Sequence, residues 1–284
     1  MNPSLQHKLF VTEQIAQSGR GPLPDGSTRM WSRITSTLIT GHSDAVLVDP
    51  PMTTAQAAAV GDWVAASGRN LRQIYVTHGH GDHWFGAIPL LPRFPGVAVR
   101  ATEGTTKLMA AQNQPDFRAE FWDRVFPGQI PAGDVEVSVV DETGFELEGV
   151  GLFPIEAGHT DTDATTMLHV PQIGLLVAGD VVYNGVHLYV TESGGPSGID
   201  AGLAALDIAE ALRPATIIAG HKDPHAQDDP SQIQATRSYL TDARRLLATS
   251  ETAEAFYRAM LALHPSRLNP GALWGGAQAL FPST

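Results

Sequence analysis

The chain contains no cysteine, which excludes disulfides, thiolate metal ligands and a cysteine nucleophile. It is also short of basic charge: 18 Lys and Arg stand against 30 Asp and Glu, for a net charge of −12. A nucleic-acid surface needs clustered Lys and Arg, so nucleic acid is not an expected partner. No apolar run approaches the roughly 18 residues of a membrane span, and Met1 to Phe10 lacks the long apolar region of a secretory signal. The expectation is a soluble, cytoplasmic protein with no membrane partner. Internal repeats, low-complexity tracts and a clear linker are missing too. With 43% hydrophobic and 17% charged residues over 284 positions, the chain can bury a substantial core. One domain over residues 1–284 is the expected organisation.

Strand and helix signals alternate along the chain. Residues 1–30 are mixed, with a Gly- and Pro-rich loop from Gly19 to Ser27. Ile34 to Ile39 and Ala45 to Asp49 read as a hairpin around Gly41-His42-Ser43-Asp44. Thr53 or Thr54 can cap a helix through Ala66 that places Ala57, Val60 and Val64 on one face. A strand is expected over Gln73–Val76, then a short one over Val97–Arg100. Residues 102–126 read as helical in two pieces. Their apolar stripe of Phe117, Phe121, Trp122, Val125 and Phe126 suits either packing on a sheet or a wall of a substrate pocket. Strands follow at Val135–Val140, Phe145–Glu156, Thr165–Val170, Ile173–Ala178 and Ala215–Ala219, with a helix at about Ile199–Leu212. Tyr183 to Gly198 reads as a long functional loop. Asp229-Pro230 opens a C-terminal helical pair over about 229–264, and the tail after Pro265 reads as irregular.

The chemistry is concentrated in His78-Gly79-His80-Gly81-Asp82-His83, directly after the apolar run Ile74–Val76. In an extended segment the side chains at i and i+2 point the same way, so His78 and His80 can face one target. The glycines between them allow backbone angles that other residues resist. Imidazole nitrogens and carboxylate oxygens ligate divalent ions such as zinc. Three more polar residues each follow an apolar strand and a glycine: His159 in Ala157-Gly158-His159, Asp180 in Ala178-Gly179-Asp180, and His221 in Ala219-Gly220-His221. Open α/β sheets converge their loops at such strand ends.

His78-x-His80-x-Asp82-His83 followed by His159, Asp180 and His221 resembles the full ligand set of the metallo-β-lactamase-fold hydrolases. The resemblance covers nearly the whole chain in element order. It implies an α/β fold, the αββα sandwich of two mixed β-sheets flanked by helices. It also implies a dinuclear centre. His78, His80 and His159 would hold one metal, Asp82, His83 and His221 the second, and Asp180 would bridge them. Asp49 would brace the histidine loop. Two divalent ions, five neutral histidines and two carboxylates leave about +2, or about +1 with a bridging hydroxide. Zinc suits this donor set, and iron and manganese also fit.

Since the fold serves many chemistries, the reaction must be argued from the site. Tyr183, three residues after Asp180, is similar to the tyrosine of acyl-homoserine lactonases that contacts the substrate carbonyl. Its phenol suits an oxyanion, or else it is a core aromatic with a satisfied hydroxyl. Asp82 would, by the same likeness, pass a proton to a leaving alkoxide. His187 and His225 lie near ligands in sequence and are candidates for the substrate pocket, or plain loop histidines. The expected function is a metal-dependent hydrolase in which a metal-bridging hydroxide attacks the carbonyl of a small lactone, ester or similar substrate. Alternatives are a thioesterase of the glyoxalase II type, a phosphoester (organophosphate) hydrolase, and a non-catalytic metal-binding regulatory protein. Specificity would reside in a helical insertion over about 102–130 and in residues 183–198. The expected partner is a small-molecule substrate, and a homo-oligomer stays open.

Overall fold

A computed structural model describes residues 5–282. The extreme ends of the expected 1–284 domain, and the first four residues of the Met1–Phe10 segment, lie outside that range. Two mixed sheets organise the chain. The first has six strands in the order Gln6–Val11, Thr35–Thr40, Asp44–Val48, Asn70–Tyr75, Ala98–Ala101 and Val137–Val139. The second has five, in the order Thr216–Lys222, Leu175–Asn184, Thr165–Val170, Val150–Gly158 and Phe145–Leu147. A two-stranded ribbon pairs Ile15–Ala16 with Met30–Trp31.

Side-chain alternation along the strands explains the layering. Ile39, Val46, Val48 and Tyr75 of the first sheet share one buried cluster with Leu168, Val170, Val177 and Ile218 of the second, so the sheets pack face to face. The alternate residues Leu38, Leu47 and Ile74 point outward, against Val60, Val64, Leu90 and Met109 of flanking helices. On the second sheet Met167, Leu176, Ala178 and Ile217 pack outward against Leu206, Ile233, Tyr239 and Met260. Both strands Thr35–Thr40 and Leu175–Asn184 are covered on their two faces and buried throughout, the polar Thr35, Ser36 and Thr37 included. This is the αββα sandwich that the resemblance implied.

Local chemistry sets several boundaries. The Thr53 hydroxyl accepts from Gln56 N–H at 3.2 Å and the Gln56 side chain accepts from Thr53 N–H at 3.2 Å, a reciprocal cap for helix Thr54–Ala66. The hairpin turn is held from the other sheet: the Glu148 carboxylate accepts from the backbone N–H groups of His42, Ser43 and Asp44 at 2.7–2.8 Å. Glu148 sits in the turn that splits the expected Phe145–Glu156 strand into two, with φ 50° at Glu148 and 80° at Gly149.

Three further expectations change. Gln6–Val11 is a strand pairing with Thr35–Thr40 rather than mixed structure. The strand expected to stop at Ala178 runs on to Asn184, so Asp180 and Tyr183 both lie on it. The tail after Pro265 forms a helix, Pro270–Leu280. Asn269-Pro270 carried a start signal for that helix, with proline in its first turn. The helix returns to the ribbon: a side chain at Gly271 would press on the Met30 carbonyl, 2.6 Å away.

Candidate metal centre

The parallel strands Asp44–Val48 and Asn70–Tyr75 release Asp49 and the Thr77–His83 loop at their carboxyl ends, on the side where Leu175–Asn184 and Thr216–Lys222 present Asp180 and His221. Asp49, with φ 53°, accepts from Thr77 N–H at 2.9 Å and Thr77 hydroxyl at 2.7 Å, and lies 3.2 Å from His83 Nδ1. The loop glycines matter for space rather than for unusual backbone angles. Neither Gly79 nor Gly81 has positive φ, but a Cβ at Gly79 would overlap Leu108 and one at Gly81 would overlap Phe85. Gly81–His83 forms a 3-10 turn, and Trp84 and Phe85 pack buried behind it.

Three overlapping groups of ligand atoms lie within 4.8 Å of one another: His78, His80 and Asp161; His78, His83 and Asp180; and Asp82, His83 and His221. Asp180 Oδ1 is 3.5 Å from His83 Nε2 and its Oδ2 is 3.3 Å from His221 Nε2. Asp82 Oδ2 lies 3.5 Å from His221 Nε2 and 3.8 Å from His83 Nε2. Asp161 Oδ2 lies 2.7 Å from His80 Nδ1 and 3.5 Å from His78 Nε2. Burial works against charge on Asp180 and Asp82. The histidines His221 and His83 beside them outweigh it, holding both carboxyls below the usual range.

The unused nitrogens are held from outside, which sets the tautomers. His78 Nδ1 meets Thr77 Oγ1 at 3.0 Å, His83 Nδ1 meets Asp49, and His221 Nδ1 donates to the Arg33 carbonyl at 2.6 Å. His78 Nε2, His83 Nε2 and Asp180 Oδ1 are buried with no hydrogen-bond partner. Buried polar atoms without partners are costly, and unprotonated imidazole nitrogens converging with carboxylates are the donor set of a divalent ion. The residues fit metal.

His159 is placed differently from the other expected ligands. It follows Gly158, whose φ is 79°, and belongs to none of the three groups. Its Nδ1 is tied to Asp163 at 2.6 Å, and its Nε2 is buried without a partner. Asp161, two residues on, takes the place beside His78 and His80. With Asp161 counted, three carboxylates face the centre and two divalent ions would leave about +1.

Sequence reasoning also missed Trp31 and Glu192. The Trp31 indole N–H donates to Asp82 Oδ2 at 2.9 Å, and Glu192 lies 3.0 Å from His80 Nε2 and accepts from Thr162 at 2.8 Å. Trp31 precedes the ligand loop by about fifty residues and no local pattern marks it. Glu192 stands inside the stretch read as a functional loop.

The cluster forms one wall of a cavity of about 290 Å³, lined also by Trp31, Phe121, Trp122 and Tyr183. The aromatic stripe thus serves both expected roles: Val125 and Phe126 are core, while Phe117 and Phe121 face the cavity. The Tyr183 hydroxyl donates to Asp180 Oδ2 at 2.6 Å. Burial, with the charge of Asp180 beside it, pushes its pKa well up, so the phenol keeps its proton. His225 is exposed in the turn after Thr216–Lys222 and does not line the cavity.

His187 lines the cavity, with its Nδ1 3.1 Å from the Tyr239 hydroxyl. Burial, then the nearby Arg267 and His264, push its pKa down to about 3 from 6.5. The unfolded chain therefore takes up this proton first. The stability that neutral His187 supports is complete above about pH 6.5 and is lost as pH falls from there toward about 3. The slope is at most about 1.4 kcal/mol per pH unit. Thermal melting of a His187→Gln variant is expected to fall less between pH 7 and pH 4.5 than that of the parent. Equal falls would remove His187 from the acid response.

Sandwich and cluster together define an α/β protein with a candidate metal-binding cluster at its strand ends. The profile of the metallo-beta-lactamase superfamily matches residues 29–221, and the chain belongs to that superfamily. Among solved structures it is similar to a metallo-beta-lactamase family protein from Thermus thermophilus, with a TM-score of 0.65 and 20% identity over 96% of this chain and 91% of that one. It is also similar to a metallo-beta-lactamase from Pontibacter korlensis, with a TM-score of 0.57 and 19% identity over 82% and 99%. The metallo-beta-lactamase FIM-1 from Pseudomonas aeruginosa, in its mono-zinc form, gives a TM-score of 0.57 and 15% identity over 84% and 92%. No curated protein sequence matches. Among the described residues, no helix is long and apolar enough to cross a membrane.

Proposed function

We propose that the protein is a metal-dependent hydrolase of small carbonyl substrates, of the lactone or ester type, with two divalent ions, zinc foremost. The observation that carries this reading is the convergence of buried imidazole and carboxylate atoms, His78 Nε2, His83 Nε2 and Asp180 Oδ1 unpaired among them, beside a cavity that His80, Asp82, Asp180 and His221 line together with the Tyr183 phenol. His78, His80 and Asp161 would hold one ion, with His159 Nε2 a further donor. Asp82, His83 and His221 would hold the other, and Asp180, grouped with His78 of the first set and facing His83 and His221 of the second, would be shared. Such ions supply an activated water and polarise a carbonyl.

The chain's own groups do the rest. Tyr183 keeps its proton and can turn it from Asp180 toward an oxyanion. Asp82, held by the Trp31 indole, would carry a proton toward a leaving alkoxide. Glu192 and Asp49 hold the rings of His80 and His83. The aromatic walls exclude water from the apolar part of a substrate.

Metal analysis together with an assay panel of lactones, aryl esters, an acyl-glutathione thioester, a β-lactam and a phosphotriester tests this. Expected are about two ions per chain, hydrolysis led by lactone or ester, and a fall in kcat of about tenfold to a hundredfold in Tyr183→Phe. Preference for the thioester or phosphotriester would replace the substrate class. Fewer than about one ion per chain, with no activity after reconstitution, would favour the regulatory alternative. His159→Ala and Asp161→Asn are each compared with the parent for metal content, and a variant that keeps both ions removes its residue from the donor set.

A further inference from the structure

The wall of the cavity made by the N-terminal segment carries two arginines that the metal centre does not use. Arg29 precedes strand Met30–Trp31 and is only 8% exposed, yet no carboxylate among the described residues pairs with it. Its Nη1 donates to the neutral Gln278 side chain at 3.1 Å, and its Nε is buried without a partner. Arg20 also lines the cavity; its guanidinium lies over the Phe121 ring at 4.7 Å, and its Nε is likewise buried and unpartnered. Burial and the like charge of Arg20 push the Arg29 guanidinium down to about 10, so both remain cations near neutral pH. Elsewhere the chain pairs its arginines readily, as in Arg237 with Asp207 and Glu210 and Arg258 with Glu254. A buried cation with no counter-ion is among the costliest arrangements a fold can keep. In a chain of net charge −12, two unpaired guanidinium groups on one pocket wall call for an anion from outside.

The surroundings make room for them. A Cβ at Gly275 of helix Pro270–Leu280 would overlap Arg29 Nη2, so that helix surface is cut back to seat the guanidinium. Arg29 and Trp31 are i and i+2 on an extended segment and face the same side, roughly 7 Å apart along the backbone. The Trp31 indole touches Asp82. Phe117, Phe121 and Trp122 line the same cavity.

We propose that Arg20 and Arg29 form an oxyanion subsite, and that the substrate is an amphiphilic anion: an apolar body against the aromatic wall, with a carboxylate or phosphate at the end remote from the reacting carbonyl. This deepens the hydrolase reading by naming the substrate class. Its test reads binding, so it can fail while hydrolysis stands, and hydrolysis can fail while it stands.

Calorimetric titration of the full-length, metal-loaded protein with 4-phenylbutyrate, phenethyl phosphate and neutral 4-phenylbutyramide tests the subsite. At least one anion is expected to bind about tenfold or more tighter than the amide, the effect of a charge-assisted hydrogen bond, and the preferred anion identifies the headgroup. In Arg29→Gln the preference is expected to fall below about threefold, with amide binding unchanged. Arg20→Gln, at a more exposed position, is expected to act in the same direction and keeps the test open if Arg29→Gln does not fold. Equal binding of anions and amide would overturn the proposal. So would an anion preference that survives in the folded variants, since the metal ions would then be its source.

Discussion

Asp180→Asn is expected to lose at least one of the two proposed ions and about a thousandfold or more of kcat/KM, roughly 4 kcal/mol of transition-state stabilisation. The substitution keeps the shape of the side chain and removes what the site uses. One carboxylate oxygen faces His83 Nε2 at 3.5 Å; the other faces His221 Nε2 at 3.3 Å and accepts from Tyr183 at 2.6 Å. An amide has one acceptor instead of two, carries no charge to offset a divalent ion, and turns an NH2 toward its neighbours. Metal content after dialysis and steady-state kinetics check the result. Two retained ions with activity within threefold of the parent would mean that Asp180 is not shared between them.

The second large effect is expected from a single methyl group. A Cβ at Gly220 would overlap Asp180 Oδ1, lie 2.8 Å from His83 Cε1 and 3.0 Å from the Gly179 carbonyl carbon. The first two atoms belong to the metal cluster and the third is backbone of the neighbouring strand, so none of the three can yield cheaply. Gly220→Ala is therefore expected to cost about a hundredfold or more in activity, to weaken metal retention, and to destabilise the fold by about 1–3 kcal/mol. Gly202→Ala is the matched control. Its Cβ would meet only Leu240 Cδ1 at 3.4 Å, within helix Pro196–Ala211. There alanine lowers the entropy of the unfolded chain and is expected to be neutral or stabilising by up to about 1 kcal/mol. Should Gly220→Ala match the parent in metal content and rate, the cluster must be looser than its distances indicate.

What could be read from the sequence was whatever short-range rules control. Thr53 caps its helix because the capping groups are three residues apart. The His78–His83 spacing announces a metal because its donors share one loop. The hairpin at Thr35–Val48 is visible in its β-branched residues and its turn. The helix Pro270–Leu280 was also within reach, since Asn269-Pro270 is a start signal, but Gly271, Gly275 and Gly276 weaken the local pattern that would extend it. The course of Leu175–Asn184 was not within reach. That strand carries Asp180 and Tyr183 through register shifts at Gly179, where φ is 50°, past the end of its antiparallel pairing with Thr165–Val170 at Val177 and alongside its parallel partner Thr216–Lys222.

By itself, then, the sequence determined the element order, the family likeness and the donor types, because each is written in residues close together in the chain. Tertiary structure alone decided which donors meet. It set Asp161 beside His78 and His80, turned His159 toward Asp163, brought Trp31 onto Asp82 across fifty positions, and made Gly79, Gly81 and Gly220 matters of space rather than of backbone angle. It also put Arg20 and Arg29 on a wall of the same cavity as the metal-ligand cluster. The reason is physical: a metal centre or an anion subsite is a convergence of side chains within a few ångströms, and that convergence is created by the packing of two sheets and their helices, which no local spacing encodes.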